Sequence, residues 1–311
     1  MRYVAGIDGG QSGTQAAIAD ESGRVLGTGA AGPSDENWQG SGSTRMRDAL
    51  AGALAAARRA AGLDEATRFA AIVAGVSGYE GRLYGEAPSL PAERFSLVHD
   101  AVVAHAGALG GGSGVVVIAG TGSIAYVVDD AERSGVHGGL GYVFGDEGSG
   151  FWIAKTALAA AVTAGESCAV ASAARAYFAQ PSIREIFAAF YHGTLDRDRF
   201  ASFARRVLEL FDSEGADDVD ACAYDTVVAA REDLASLAAW AARPPWQWRG
   251  RARASFVGGL VGDRAFKDGI YAATRAKAPE LEIVEPVYPP ALGAVVLAMR
   301  EAKMAPVQLA T

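Results

Sequence analysis

The 311-residue sequence predicts an α/β protein of two related domains, each a mixed sheet with helices, and a ligand cleft between them. Two observations carry that expectation. An apolar run, a glycine-and-hydroxyl turn and a second apolar run occur at Tyr3–Ala19 and return at Val115–Val128, about a hundred residues later. Two units of one design point to related domains facing one ligand. The chain is also long enough for two medium domains, and 50% of its residues are hydrophobic, which permits sizeable cores. The glycine loop Gly110–Gly114 reads as a hinge or boundary. The expected domains are 1–111 and 112–289, with helical insertions in the second and a final helix, about 290–311, returning to the first.

In chain order, Tyr3–Ile7 is a strand that ends at one carboxylate, Asp8. The turn Gly9, Gly10, Gln11, Ser12, Gly13, Thr14 follows, then a strand over Ala16–Ala19. Glycines let a backbone approach a polyanion and point N–H groups at it. Hydroxyls add donors, and a carboxylate at a strand end can hold a hydrated metal ion. These parts suit a nucleotide phosphate tail with Mg²⁺, although a plain hairpin with a polar turn has the same pattern. Val25–Ala31 is a third strand, and Pro33–Gly42 is a polar loop carrying Asp35, Glu36, Asn37 and Trp38. A helix spans about Ser43–Ala61, with Leu50 and Leu54 inward, and Gly62 ends it. Phe69–Val76 is a buried strand closing at Ser77-Gly78, and Phe95–His99 is another, ending at Asp100 before a short helix to Ala108.

The second half begins with strands at Val115–Ala119 and Ile124–Val128 around the turn Gly120-Thr-Gly-Ser123. A dense loop, Gly138-Gly-Leu-Gly-Tyr-Val-Phe-Gly-Asp-Glu-Gly-Ser-Gly150, leads into a helix from Ser149 to about Ala164. That helix N-terminus is a suitable place for an anion or a sugar hydroxyl. Cys168–Ala242 is mainly helical cover, Ala254–Val257 is a strand, and Gly258-Gly259 opens a helix to about Ala276. The last helix runs from Ala291 to about Lys303.

Composition and motif spacing remove several functions. A net charge of −8 without a basic block argues against nucleic-acid binding, which depends on phosphate neutralisation. Cys168 and Cys222 stand far apart, so neither a disulfide framework nor a zinc or iron–sulfur site is supported, and the four histidines lack ligand spacing. Residues Ala101–Val128 carry no Asp, Glu, Lys or Arg, but seven glycines cut the stretch into short pieces, so a membrane span is not expected. Without a signal peptide h-region, the expected location is the cytoplasm. The dinucleotide fingerprint fails because Asp8-Gly-Gly leads to a strand, and a P-loop fails because Ser149 and Ala154 replace its glycines before Lys155-Thr156. Gly75-Val-Ser-Gly-Tyr79 is not a nucleophile elbow. Carboxylates at strand ends or glycine loops remain: Asp8, Asp100, Asp146 and Glu147. Phosphoryl transfer needs a phosphate cradle, a metal-holding carboxylate and a carboxylate that orients the attacking hydroxyl. Asp100 is the best candidate base, and it could also cap the helix that follows it.

Gly6-Ile-Asp-Gly-Gly-Gln-Ser-Gly-Thr14, Leu97-Val-His-Asp-Ala101, Ile118-Ala-Gly-Thr-Gly-Ser123, the 138–154 loop, Val257-Gly-Gly-Leu260 and Tyr288-Pro-Pro-Ala-Leu-Gly-Ala294 together resemble the N-acetylglucosamine kinase family. That family is grouped with the ATPases that activate benzoyl-CoA reductase and 2-hydroxyacyl-CoA dehydratases, and shares the actin/hexokinase/Hsp70, ribonuclease H-like fold. The resemblance implies an ATP- and Mg²⁺-dependent kinase acting on the 6-hydroxyl of an amino sugar, N-acetylglucosamine first, with glucosamine, N-acetylmuramic acid or a non-sugar activator-type ATPase as alternatives. It also implies a homodimer, while charge and hydropathy, as above, argue against a nucleic-acid or membrane partner. Asp100 resembles the catalytic base and Asp8 the metal-associated aspartate. Gly10, Gln11, Ser12 and Thr14 resemble the first phosphate loop, Gly120, Thr121 and Gly122 the second, and Gly258 and Gly259 the adenosine loop. Asp146 resembles the sugar-binding aspartate, with Asn37, Ser77, Gly139 and Gly150 expected beside it. Two departures bear on the sugar: Ile124 replaces an asparagine, and Glu36 rather than Asn37 takes a second asparagine's place. Acids in that loop could suit the free amine of glucosamine. The cysteines of the iron–sulfur activators have no counterparts beside the glycine loops of the second domain.

Overall fold

The computed structural model describes residues 1–35, 42–212, 220–305 and 308–310. The chain begins with β1 (Tyr3–Gly9), β2 (Thr14–Asp20), β3 (Val25–Ala31), α1 (Arg45–Ala60), β4 (Ala71–Val76), β5 (Phe95–His99) and α2 (Asp100–Ala108). Next come β6 (Gly114–Ala119), β7 (Ser123–Val128) and β8 (Ser134–Gly138). Helices follow: α3 (Gly141–Phe144), α4 (Gly150–Thr163), α5 (Ala169–Phe178), α6 (Ile183–Tyr191), α7 (Arg197–Ser202), α8 (Ala204–Asp212) and α9 (Ala221–Ala241). The chain closes with β9 (Arg253–Val257), α10 (Arg264–Lys277), β10 (Glu282–Ile283) and α11 (Pro290–Glu301).

Two compact units result, one of Met1–Ser113 with Glu285–Thr311, the other of Gly114–Val284. The return to unit 1 begins ahead of α11, because the Val287 and Tyr288 amides donate to the Ala108 and Gly107 carbonyls of α2.

In unit 1 the strand order is β3-β2-β1-β4-β5. Short turns make β1, β2 and β3 antiparallel neighbours, whereas β4 pairs parallel with β1 and with β5. A parallel pair needs a long crossover, and α1 supplies the first. Alternation along the strands divides the core. Val4, Ala17, Ala71 and Val73 pack with α11, while Ala5, Ile7, Ile18 and Ile72 pack with Leu50 and Leu54 of α1. Backbones approach closely at both layers. A Cβ on Gly6 would lie 2.3 Å from Val295 N of α11, and one on Gly29 would lie 2.2 Å from Ala57 N of α1.

Unit 2 repeats the plan with order β10-β9-β6-β7-β8, where β6 is antiparallel to β7 and parallel to β9. Helices α3 to α9 lie between β8 and β9. Their core includes Phe151, Phe178, Phe200 and Phe203, with the Phe151 and Phe200 ring centroids 4.9 Å apart. Strands β8 and β10 were not expected from the sequence, since Ser134-Gly-Val-His-Gly138 has two weak strand formers and β10 has two residues. The helix expected to open at Gly258-Gly259 begins at Arg264, capped by Asp263, which accepts from Phe266 N at 2.8 Å. Gly258 has φ +109, outside the helical region, and its missing Cβ would sit 2.3 Å from Ala119 O. No helix among the described residues is long and apolar enough to cross a membrane.

Candidate functional site

Parallel pairing aligns the C-terminal ends of three unit-1 strands. Gly9 is in register with Val76, and Val76 with His99. Asp8, Ser77 and Asp100 therefore leave the sheet along one edge, the edge where open α/β sheets bind ligands. The Ser77 amide donates to Gly9 O at 2.8 Å, and Ser77 lines a cavity with Gly78, Tyr79, Arg82, Leu83 and Tyr84. Asp8 titrates at about 7, raised first by burial and then by the charge of Asp100. A sequence puts these two acids far apart; the register brings them within electrostatic reach.

Asp100 is the first residue of α2 and not its cap. His99 is the cap, its Nδ1 accepting from Ala101 N at 3.1 Å. The same Nδ1 lies 2.8 Å from Asp100 Oδ1. One nitrogen cannot accept through its lone pair and donate its proton in the same tautomer, so the two contacts alternate with the state of the ring. The Asp100 bond raises the His99 pKa, against the opposing effect of burial. Helix α2 is held in place by close backbone approach: a Cβ on Gly293 of α11 would lie 2.1 Å from Val103 O.

The first glycine turn is braced by bonds of its own and by bonds to the 32–34 segment. The Gly10 amide donates to Gly13 O at 2.9 Å, and the Gly10 carbonyl accepts from Ser34 N. Thr14 is 1% exposed and donates its hydroxyl to Gly32 O at 2.8 Å. Gly10 and Thr14 thus hold the turn together through internal bonds, while Ser12 is exposed and Gln11 half-buried. Glu36 and Asn37 lie outside the described residues. Asp35, one of the acids considered for an amine, is paired with Arg45 at 2.9 Å.

In unit 2 the Gly120 amide closes the second turn onto Gly122 O at 2.9 Å. At the N-terminus of α4, considered above for an anion or a sugar hydroxyl, the first backbone donors have partners within unit 2. The Gly150 amide donates to Gly120 O at 2.8 Å, the Phe151 amide to Thr121 O at 3.2 Å, and Ser149 Oγ accepts from Trp152 N. The first two bonds dock the helix on the turn and the third caps it, so the Gly150 amide already has a partner. Gly139 has φ +69, and its amide donates to Ser123 O at 3.1 Å. Gly259 has no atom near the place of a Cβ, unlike Gly258.

Asp146 is 4% exposed, and its Oδ2 pairs with Arg197 at 2.9 Å. Burial pushes its carboxyl up, while Arg197 and the amides of Ser123 and Gly141 pull it down. Its backbone is left-handed, φ 62, which Asp tolerates better than most residues. A Cβ on Gly122 would be 2.7 Å from Asp146 Oδ2, so this glycine also makes room for the ion pair. Arg197, whose guanidinium lies over the Tyr142 ring, was missed by sequence reasoning. It stands in Asp196-Arg-Asp-Arg199, a charged run like any exposed helix start, and no spacing links it to Asp146.

Two duplicated sheets of this topology, each with a glycine turn after its first strand, define a two-domain actin-like ATPase fold. The chain is similar to a protein from Chromobacterium violaceum assigned provisionally as an N-acetylglucosamine kinase, with 27% identity, coverage of 96% of this chain and 99% of that one, and a TM-score of 0.76. It shares the fold of a ROK family glucokinase from Streptomyces griseus solved with glucose and AMPPNP, at 18% identity, 96% and 99% coverage and a TM-score of 0.54. The chain belongs to the BadF/BadG/BcrA/BcrD ATPase family, whose profile matches residues 5–298. Membership implies use of ATP. A Clostridium acetobutylicum N-acetylmuramic acid/N-acetylglucosamine kinase is 33% identical over 178 residues, a match that covers 52% of this chain and 54% of that protein, about half the length of each.

Proposed function

We propose that the protein is an ATP-dependent kinase that phosphorylates the 6-hydroxyl of N-acetylglucosamine, with Asp100 as the base. The observation that carries this reading is the alignment of Asp8, Ser77 and Asp100 on one sheet edge. The likeness to the Chromobacterium violaceum protein over nearly the whole chain supports the acceptor class. Asp100 would accept the hydroxyl proton as the sugar oxygen bonds to the γ-phosphorus and the bond to the leaving ADP breaks. Gln11 and Ser12, at the open tip of the first turn, would meet the phosphates, with Gly10 and Thr14 shaping it. Gly120, Thr121 and Gly122 would form a second phosphate contact, and Gly258 and Gly259 the nucleoside contact.

The donor set around Asp8 fits Mg²⁺. It offers hard carboxylate oxygens, and the mutual repulsion of Asp8 and Asp100 would be relieved by a divalent cation. Asp8 would hold the ion, which when bound neutralises charge on the transferring phosphoryl group. On the sugar side, Ser77 and Gly139 would make contacts, and Asp146 would act by fixing the surrounding loop, since its carboxylate is already engaged.

N-acetylmuramic acid is the second acceptor to weigh, favoured by the Clostridium acetobutylicum relative. Glucosamine is weakened by the Arg45 partner of Asp35. ADP release with Mg·ATP, measured across N-acetylglucosamine, N-acetylmuramic acid, glucosamine, glucose and no sugar, tests the reading. Strongest stimulation by N-acetylglucosamine, with product phosphorylated at the 6-oxygen by phosphorus NMR, is the expected result. Hydrolysis indifferent to sugar would replace the reading with an activator-type ATPase.

A further inference from the structure

Cys168 and Cys222, distant in sequence, meet in unit 2. Both Sγ atoms and a carboxylate oxygen of Asp220 lie within 4.8 Å of one another. Cys168 is the residue before α5, in extended backbone with φ −86 and ψ 164, and its side chain makes no capping bond. Its thiol hydrogen-bonds with that of Cys222. Cys222 is the second residue of α9 and is buried. Asp220 joins the two helix starts: one oxygen accepts from Ala223 N at 3.1 Å, the other from Val170 N at 3.2 Å. Asp220 thus holds the two helix starts together, and the groups at the cluster that can change oxidation state are the two thiols.

We propose that Cys168 and Cys222 are a modification site at which a small-molecule disulfide, of the oxidised glutathione class, installs a reversible intramolecular disulfide that staples the start of α5 to the start of α9. The step balances as two exchanges. The partly exposed Cys168, as thiolate, attacks one sulfur of the reagent; the reagent's S–S bond breaks and its other half leaves as a thiolate. Cys222 then gives its proton to solvent and attacks Sγ of Cys168, expelling the second half of the reagent. The protein loses two hydrogens and two electrons, and the reagent becomes two thiols. The order is fixed by access, and by a Cys222 thiol pushed up to about 12 by burial and by its neighbours Cys168 and Asp220. Resolution is thus the slow step, faster at higher pH.

The bond would close a loop holding α5 to α8, and cross-links of that size commonly raise the melting temperature of a unit of this length by roughly 5–10 °C. The experiment treats the full chain with a ladder of oxidised glutathione at pH 7.5 and 8.5, then reads intact mass, the cross-linked peptide and melting temperature. Expected are loss of two hydrogens, a Cys168–Cys222 linked peptide, a melting-temperature rise reversed by dithiothreitol, and faster resolution at pH 8.5. Cys168→Ala, at a partly exposed position where folding should survive, should show no mass change and no shift. A glutathione adduct that persists on Cys168 without resolving, or an oxidised chain with an unchanged melting temperature, would overturn the proposal.

Discussion

Units 1 and 2 share one sheet plan and differ in what that plan holds at matched positions. The first hairpin closes on Gly9 opposite Thr14 in unit 1 and on Ala119 opposite Ser123 in unit 2. One step back, Asp8 faces Gln15 in unit 1, but Ile118 faces Ile124 in unit 2. Charge appears in unit 2 at another place and in another form. Burial, and after it the like charge of Asp100, raises the pKa of Asp8, whereas Asp146 and Arg197 are opposite charges already paired. Two neighbouring carboxylates, one of them also against His99, are a site that a cation would stabilise; a buried ion pair already carries its own counter-charge. The proposed function rests on this difference: it puts the chemistry in unit 1 and gives the loop of unit 2 a scaffolding role.

The sharpest way to break that contrast is at Asp100. Asp100→Asn keeps size and polarity and removes the base, so sugar-dependent turnover should fall by about 10²–10⁴. Nucleotide binding, read by titration calorimetry with ADP, should survive. Near-normal turnover would move the chemistry out of unit 1.

Arg197→Met should act on stability instead. It strips the partner from a buried carboxylate, and breaking such a pair costs on the order of 3–5 kcal/mol, less here because Arg197 is 23% exposed. The double variant with Asp146→Asn should recover part of the loss in denaturant titrations. A single variant with full stability but a lost response to sugar would show Arg197 to be a ligand contact and the scaffold reading of unit 2 to be wrong.

How much of this was legible in the sequence follows from which interactions are local. Strands β1 to β7 and the two glycine turns carry their signals in consecutive residues, and their placement could be read. Roles that depend on long-range partners could not. That the Thr14 hydroxyl donates to Gly32 O, and the Gly150 amide to Gly120 O, could not be read from either residue's neighbours in sequence. Arg197 and the thiol pair have no local pattern at all. The N-cap at His99 was hidden because Asp is the stronger capping residue, and it stands one position later.

The smallest predicted effect tests the electrostatics at Asp8. Its folded pKa of about 7 lies above the ordinary carboxylate value near 4, so the folded chain holds a proton there that the unfolded chain has released. Stability from this group is present below about pH 4 and declines as pH rises to about 7, the reverse of the usual aspartate. Asp8→Asn should remove that slope, so the wild-type minus variant difference in melting temperature should become more negative from pH 5 to pH 8. Mg²⁺ favours the ionised carboxylate. It should therefore raise the wild-type melting temperature more at pH 8 than at pH 5.5, and leave the variant nearly unmoved at both. Equal Mg²⁺ shifts in the two proteins would place the cation elsewhere, and with it would go the claim that the like-charged pair of unit 1 is the part completed by a ligand.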